Sequence, residues 1–309
     1  PVRMVIDLAQ MTLDEARERW PLVVEIADKK SRPARALVKR ASYRERWWQF
    51  AEPQPALRAA MAGKTRVLMH AFTSKFLAFV FVSADAIVGQ PHAVLVVDDF
   101  ASFSVLQSRI HEYWVQYFGS SMASTMRYPV SDVFITFPFP DAARKSHALS
   151  ELGRSYYEFR QNLCSRFGIG LTMLYNRFHD PSESSPEIVE LRALHDAIDK
   201  ASLAAYGWTD LQARSEFFSE LAVDAADDDV AVAAAAEPCS AVRYRWPDEI
   251  RDEVLARLLE LNAMRAKEQA ANPPTSPDEP PAAKKKRGPK KKAAATTDQG
   301  ALFGKEGDE

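Results

Sequence analysis

One stretch, residues 104–140 (SVLQSRIHEYWVQYFGSSMASTMRYPVSDVFITFPFP), limits the possible folds more than any other. Val105, Ile110, Trp114, Tyr117 and Phe118 recur at helical spacing and predict one long amphipathic helix. Gly119 is placed to stop it, as a residue free to take positive φ. The hydroxyl-rich 120–126 reads as a polar loop ending at Arg127. Residues 133–137 read as a short strand, which Pro138 and Pro140 keep from extending into a ladder.

On either side the texture changes in blocks. Thr12 with Glu15 three positions on has the spacing of a capping box, so 12–30 reads as a helix that Trp20-Pro21 breaks or kinks. Between 29 and 46, Lys29, Lys30, Arg32, Arg35, Lys39, Arg40, Arg44 and Arg46 are opposed only by Glu45, and Tyr43, Trp47 and Phe50 run beside them. Two readings stand together: a solvated helix whose aromatic side is buried, and a helix that holds phosphates without reading bases. EPQPALRAAMAG (52–63) is a short helix closed by glycine. TRVLMHAF, KFLAFVFV and HAVLVV are β-prone runs, predicting a small mixed sheet with the 100–118 helix packed on it.

After Pro140 the pattern is helical over 148–167, 171–178, 186–205 and 247–270, and His179-Asp180-Pro181 reads as a helix end. Residues 222–240 are acidic and alanine-rich and predict an excursion. From Asn272 the composition is that of a disordered tail, whose KKKRGPKKK run has seven basic residues in nine. That run is a phosphate-binding arm or a solubilising tail. The resulting class is α+β: a basic, aromatic helical segment at 1–63, a sheet-based recognition domain at 64–140, a helical region at 141–270, and a tail at 271–309.

A net charge of −2 over 309 residues gives no global field for nucleic acid, so any DNA binding must come from local basic surfaces. Cys164 and Cys239 make neither a disulfide framework nor a zinc spacing, which suits a cytoplasmic protein. No apolar run approaches the roughly 18–20 residues that span a bilayer, so no membrane partner is expected. The first residue is Pro, which predicts a trimmed initiator or a fragment of something longer.

YPVSDVFITFPFP, with SVLQSRIHEYW before it and ELGRSYYEFR after it, resembles the target-recognition and C-terminal region of large adenine-specific DNA methyltransferases. These are the type IIG, MmeI-like restriction–modification enzymes and related phage-defence methylases. The likeness continues through RERWWQFAEPQPALRAAMAG (44–63), GLTMLYNRFHDP (170–181), LRALHDAIDKASLAAYGW (191–208) and YRWPDEIRDEVLARLLELN (244–262). It implies double-stranded DNA as partner and S-adenosyl-L-methionine as cofactor of the full-length enzyme, and it favours the fragment reading.

The methyltransferase motifs themselves are wanting. Asn272-Pro273-Pro274-Thr275 lacks the aromatic that stacks on a flipped adenine, and Phe167-Gly168-Ile169-Gly170 falls between predicted helices. This chain alone is therefore expected to hold no cofactor and to rely on a missing or separate methyltransferase domain. The alternative is a stand-alone protein-interaction or DNA-binding module from a split or degenerate gene.

Base-contact candidates are His70, Ser74, Lys75, Ser121 and Arg127, all in polar loops bounded by apolar scaffold. Arg127 leads because a guanidinium bonds guanine in two places. The alternative, an Arg127–Asp132 pair that stiffens the loop, stays open. Backbone candidates are Arg35, Lys39, Arg40 and Arg44, on one predicted helical surface, with Lys284, Lys285, Lys286 and Arg287 in the tail.

Overall fold

Local capping chemistry sets the first helices. The computed structural model describes residues 5–8, 11–89, 91–119, 121–122, 125–219 and 242–271; the 222–240 excursion and the basic tail with Lys284, Lys285, Lys286 and Arg287 lie outside them. Thr12 and Glu15 form the capping box that opens α1 (Leu13–Arg19), and Pro21 then starts α2 (Pro21–Lys30). The 29–46 segment is not one helix. It forms α3 (Arg32–Ala36) and α4 (Ala41–Glu45), with a non-helical link between them. A small core of Leu8, Ala16, Val24, Ala27 and Trp47 holds these turns together, and the Trp48 indole N–H donates to the Met11 carbonyl at 3.0 Å. Next comes α5 (Pro55–Met61), entered through Gln54 at φ 47.

Every described strand pairing is antiparallel, not mixed as the sequence suggested. β1 (Arg66–Ala71) is central between β3 (Val80–Ser83) and β4 (His92–Leu95). The chain leaves β1 into a two-residue β2 (Thr73–Ser74), which belongs to a second small sheet. Of the predicted KFLAFVFV strand only the end is strand. Residues 76–79 are mostly buried with no ladder, so side chains must satisfy their backbone. Gln107 accepts from Phe79 N at 3.1 Å and donates to Leu77 O at 2.8 Å, while Arg160 donates to Phe79 O at 2.5 Å.

The predicted long helix is two, α6 (Phe100–Gln107) and α7 (Arg109–Phe118), broken at Ser108. The break frees the Arg109 amide, which Asp199 captures at 2.9 Å from 90 residues away. Gly119 ends α7 with φ −78, so positive φ is not its role. A Cβ there would lie 2.4 Å from Val115 O and 2.6 Å from Arg127 O. Glycine is needed for close approach of the next strand.

The expected polar loop folds as a hairpin, β5 (Ser121–Met122) against β6 (Thr125–Arg127), and β6 also pairs with β2. The expected 133–137 strand is instead a helical turn, α8 (Val130–Val133), entered from Pro129 and followed by the Thr136 hydroxyl donating back to Asp132 O. Local side-chain-to-backbone bonding outcompetes β propensity there.

The remaining helices match their patterns. α9 (His147–Phe167) starts at a Ser146 cap and ends at Gly168, whose φ of 64 is left-handed. α10 (Leu171–Phe178) follows, then α11 (Pro186–Tyr206), closed by Gly207 at φ 79. β7 (Glu216–Ser219) and β8 (Val242–Arg245) form a ribbon, and α12 (Asp248–Ala271) comes last. One hydrophobic core runs from Leu68 through Trp114 and Tyr156 to Trp246 and Leu258, so the sheet and the later helices share an interior.

Candidate nucleic-acid interface

The β2–β6–β5 sheet concentrates the predicted base contacts, but not equivalently. Arg127 lies directly opposite Thr73, and facing residues of an antiparallel pair present their side chains to one surface. Both are exposed. The Arg127 guanidinium makes no hydrogen bond or ion pair among the described residues. Asp132, its suggested partner, accepts from Ser131 at 2.9 Å instead. The neighbouring Tyr128 is fully buried, donating or accepting at 2.9 Å with His111, so Arg127 stands on a fixed base. Thr73 lies in the same polar turn in sequence but is not among the base-contact candidates; its place across from Arg127 appears only with the pairing.

His70 is a correction. It is 3% exposed, its Nδ1–H donates to Ala78 O at 3.0 Å, and its Nε2 lies 3.3 Å from Ser74 Oγ. Burial pushes its pKa down to about 4, so it is a neutral scaffold residue. Ser74 is half-buried and donates to Phe76 O at 2.8 Å, which also makes it part of the turn. Lys75 reaches Asn176 Oδ1 at 2.9 Å and lies 5.2 Å from the Phe76 ring, tying the turn to α10. Ser121 pairs with Met126 through its backbone.

The later helices brace this turn from beneath. Phe76 stacks on His179 at 5.1 Å and on Tyr175 at 5.6 Å, and Arg243 covers it at 4.6 Å. His179 accepts from Tyr244 N at 3.1 Å, and burial holds its pKa well below the ordinary value. Among the described residues no group of His, Cys, Asp and Glu could hold a metal, and no helix is long and apolar enough to cross a membrane.

Two buried arginines were missed from sequence. Arg109 bonds Asp199 at 2.5 Å, Asp196 at 3.2 Å and Tyr244 O at 3.1 Å, joining α7, α11 and β8. Burial opposes its charge, but the two carboxylates outweigh that and raise its pKa. Arg160 is fully buried among neutral partners: Gln107, the Tyr175 hydroxyl and Phe79 O. A signal for it existed, because Leu149, Gly153, Tyr156, Arg160 and Leu163 form the buried stripe of α9. A charge within a core stripe marks a residue spent on internal carbonyls.

The backbone candidates also divide. Arg44 donates to Val38 O and Lys39 O at 2.7 Å each, stitching the link between α3 and α4. Arg40 pairs with Glu52 at 2.7 Å and bonds Tyr43. Arg35 lies 5.5 Å from the Tyr43 ring. The Lys39 side chain is exposed and makes no hydrogen bond or ion pair among the described residues. The single helical surface expected for these four does not form.

Phe167-Gly168-Ile169-Gly170 closes α9 and opens α10, so it is not a strand-to-helix nucleotide turn.

Residues 2–141 match the family model of the MmeI target recognition domain. A solved structure of the type IIL restriction–modification enzyme MmeI in complex with DNA has the same fold over 84% of this chain, with 20% identity and a TM-score of 0.55. This chain spans 28% of that protein's length. No curated protein matches it.

Proposed function

From the match of residues 2–141 to the MmeI target recognition domain, we propose that this chain is the DNA-reading portion of an adenine-specific restriction–modification methyltransferase, working in the cytoplasm. In this reading double-stranded DNA lies against the β2–β6–β5 surface. Arg127 reads a base edge, Thr73, Lys75 and Ser121 flank it, and Lys39 meets phosphate. The methyl donor S-adenosyl-L-methionine and the transfer step belong to a methyltransferase domain outside this sequence.

The observation that carries the reading is Arg127: an exposed guanidinium with no bond among the described residues, on a strand anchored by buried Tyr128 and close-packed Gly119. An unspent guanidinium on an anchored strand suits bidentate contact with guanine. The solved MmeI complex with DNA supports the choice of partner.

The test is fluorescence binding of the full chain to random duplexes and to duplexes carrying adenine-methylated sites of the source genome, each at two salt concentrations. Selective, salt-dependent binding to one duplex class supports the reading. Equal or absent binding to all of them refutes it.

A second reading, a protein-interaction module, draws on α2, where Leu22 and Ile26 are exposed one turn apart. The two are compatible if that face receives the methyltransferase domain.

A further inference from the structure

We propose that Tyr117, Phe118 and Ile135 form an apolar wedge that packs into the base stack of duplex DNA beside Arg127, a contact that rests on the DNA-reading role above. These side chains are 58%, 39% and 73% exposed, although Tyr117 and Phe118 belong to the apolar pattern of α7. Large apolar groups left outside a well-filled core mark an interaction surface.

The two aromatics are held as one unit, and Ile135 precedes the residue that braces their support. The Phe118 ring lies 4.4 Å from Trp114 and 4.9 Å from Tyr117. The buried Trp114 in turn donates its indole N–H to Thr136, next to Ile135, at 3.3 Å. The wedge is thus anchored on the core and does not depend on a mobile loop.

Gly119 fixes its distance from the reading surface. The Arg127 carbonyl would lie 2.6 Å from a Cβ on Gly119, so the strand bearing Arg127 presses on the residue that follows Phe118. Exposed aromatics at the end of α7 and an exposed guanidinium on the strand packed against that end suit a polyanion that also offers π-faces. The exposed acid nearest in sequence, Asp132, is turned to Ser131.

Patch size decides between DNA and protein. Stable protein interfaces engage about 20–30 residues on each side, which three side chains do not approach. A wedge between base steps takes one or two apolar side chains, and aromatic stacking tolerates any base.

The experiment uses the full chain and a duplex selected from a random library, with 2-aminopurine substituted at each position in turn. Wild type should raise the fluorescence at one step as that base unstacks. Tyr117→Ala should abolish the rise and weaken binding about tenfold. Its salt slope should stay unchanged, because no phosphate contact is lost. Tyr117→Phe should behave as wild type, and Ile135→Ser, at a more exposed site, should repeat the loss in part. The wedge is overturned if no position brightens, or if Tyr117→Ala binds like wild type. It is equally overturned if that variant only abolishes self-association in sedimentation, which would make the patch a contact between copies. If Arg127→Ala loses selectivity while Tyr117→Ala changes nothing, the wedge fails and the reading role stands. If wild type binds no duplex, both fail.

Discussion

Replacing Gly119 with alanine isolates the contact that presses the reading strand onto α7. The backbone at Gly119, φ −78 and ψ 137, is open to any residue, so the cost is wholly steric. The added Cβ would meet Val115 O at 2.4 Å and Arg127 O at 2.6 Å, whereas ordinary contact begins at 3.4 Å. Both obstacles are backbone, so the helix end and β6 must separate by several tenths of an ångström or more. Overpacking of this kind costs about 1–3 kcal/mol. Urea unfolding should show that loss as a lowered midpoint at unchanged m-value. Because β6 carries Arg127, selectivity between preferred and scrambled duplexes should fall with it. Gly63→Ala is the control: φ there is 77 with nothing within 4 Å, so it should cost stability through the backbone alone and leave selectivity intact. A Gly119→Ala protein with wild-type stability and selectivity would refute the reasoning.

Arg160→Met leaves the Phe79 carbonyl without its donor in the core, while Gln107 keeps Phe79 N and Tyr175 keeps Tyr156, and an unsatisfied buried group costs about 1–3 kcal/mol. Thermal melting should drop by many degrees, and a shift of one or two degrees would contradict the assignment. His70 and His111 are buried with pKa values pushed down to about 4 and about 3, so below the unfolded value near 6.5 the unfolded chain takes up protons that the folded one refuses. Stability should therefore be flat above pH 7 and fall as pH drops, by about 2 kcal/mol per histidine at pH 5. Urea midpoints unchanged between pH 7 and 5 would refute this. Lys39→Ala should weaken all duplexes alike and lower the salt slope by about 0.9, whereas Arg44→Ala should destabilise the α3–α4 link, seen as a lowered melting temperature.

What could be read from sequence was what local chemistry decides. α9 and α11 announce themselves through Ser146, Pro186, Gly168 and Gly207, each acting within a turn of the helix it bounds. The capping box at Thr12 and Glu15 is equally local. The misreadings share a different cause. Ser108 interrupts a good helical pattern because Asp199, far along the chain, takes the Arg109 amide. The 76–79 run is β-prone yet unladdered because Gln107 and Arg160 supply its bonds. His70 looked like a loop polar group until the turn closed over it. Arg127 drew on both levels: the sequence put it at the end of a hydroxyl-rich stretch read as a loop, and only the fold shows it on a strand with its guanidinium unbonded among the described residues.

The central claim, that the Arg127 surface reads duplex DNA by sequence, is tested most directly by enrichment from a random duplex library. Wild type and Arg127→Ala would be selected in parallel, with circular dichroism confirming that both are folded. The account predicts that wild type enriches a defined motif and that Arg127→Ala loses preference at one base pair of it, at a cost of about 1–3 kcal/mol there. Enrichment of the same motif with the same strength by both proteins, or of no motif by wild type, would contradict it.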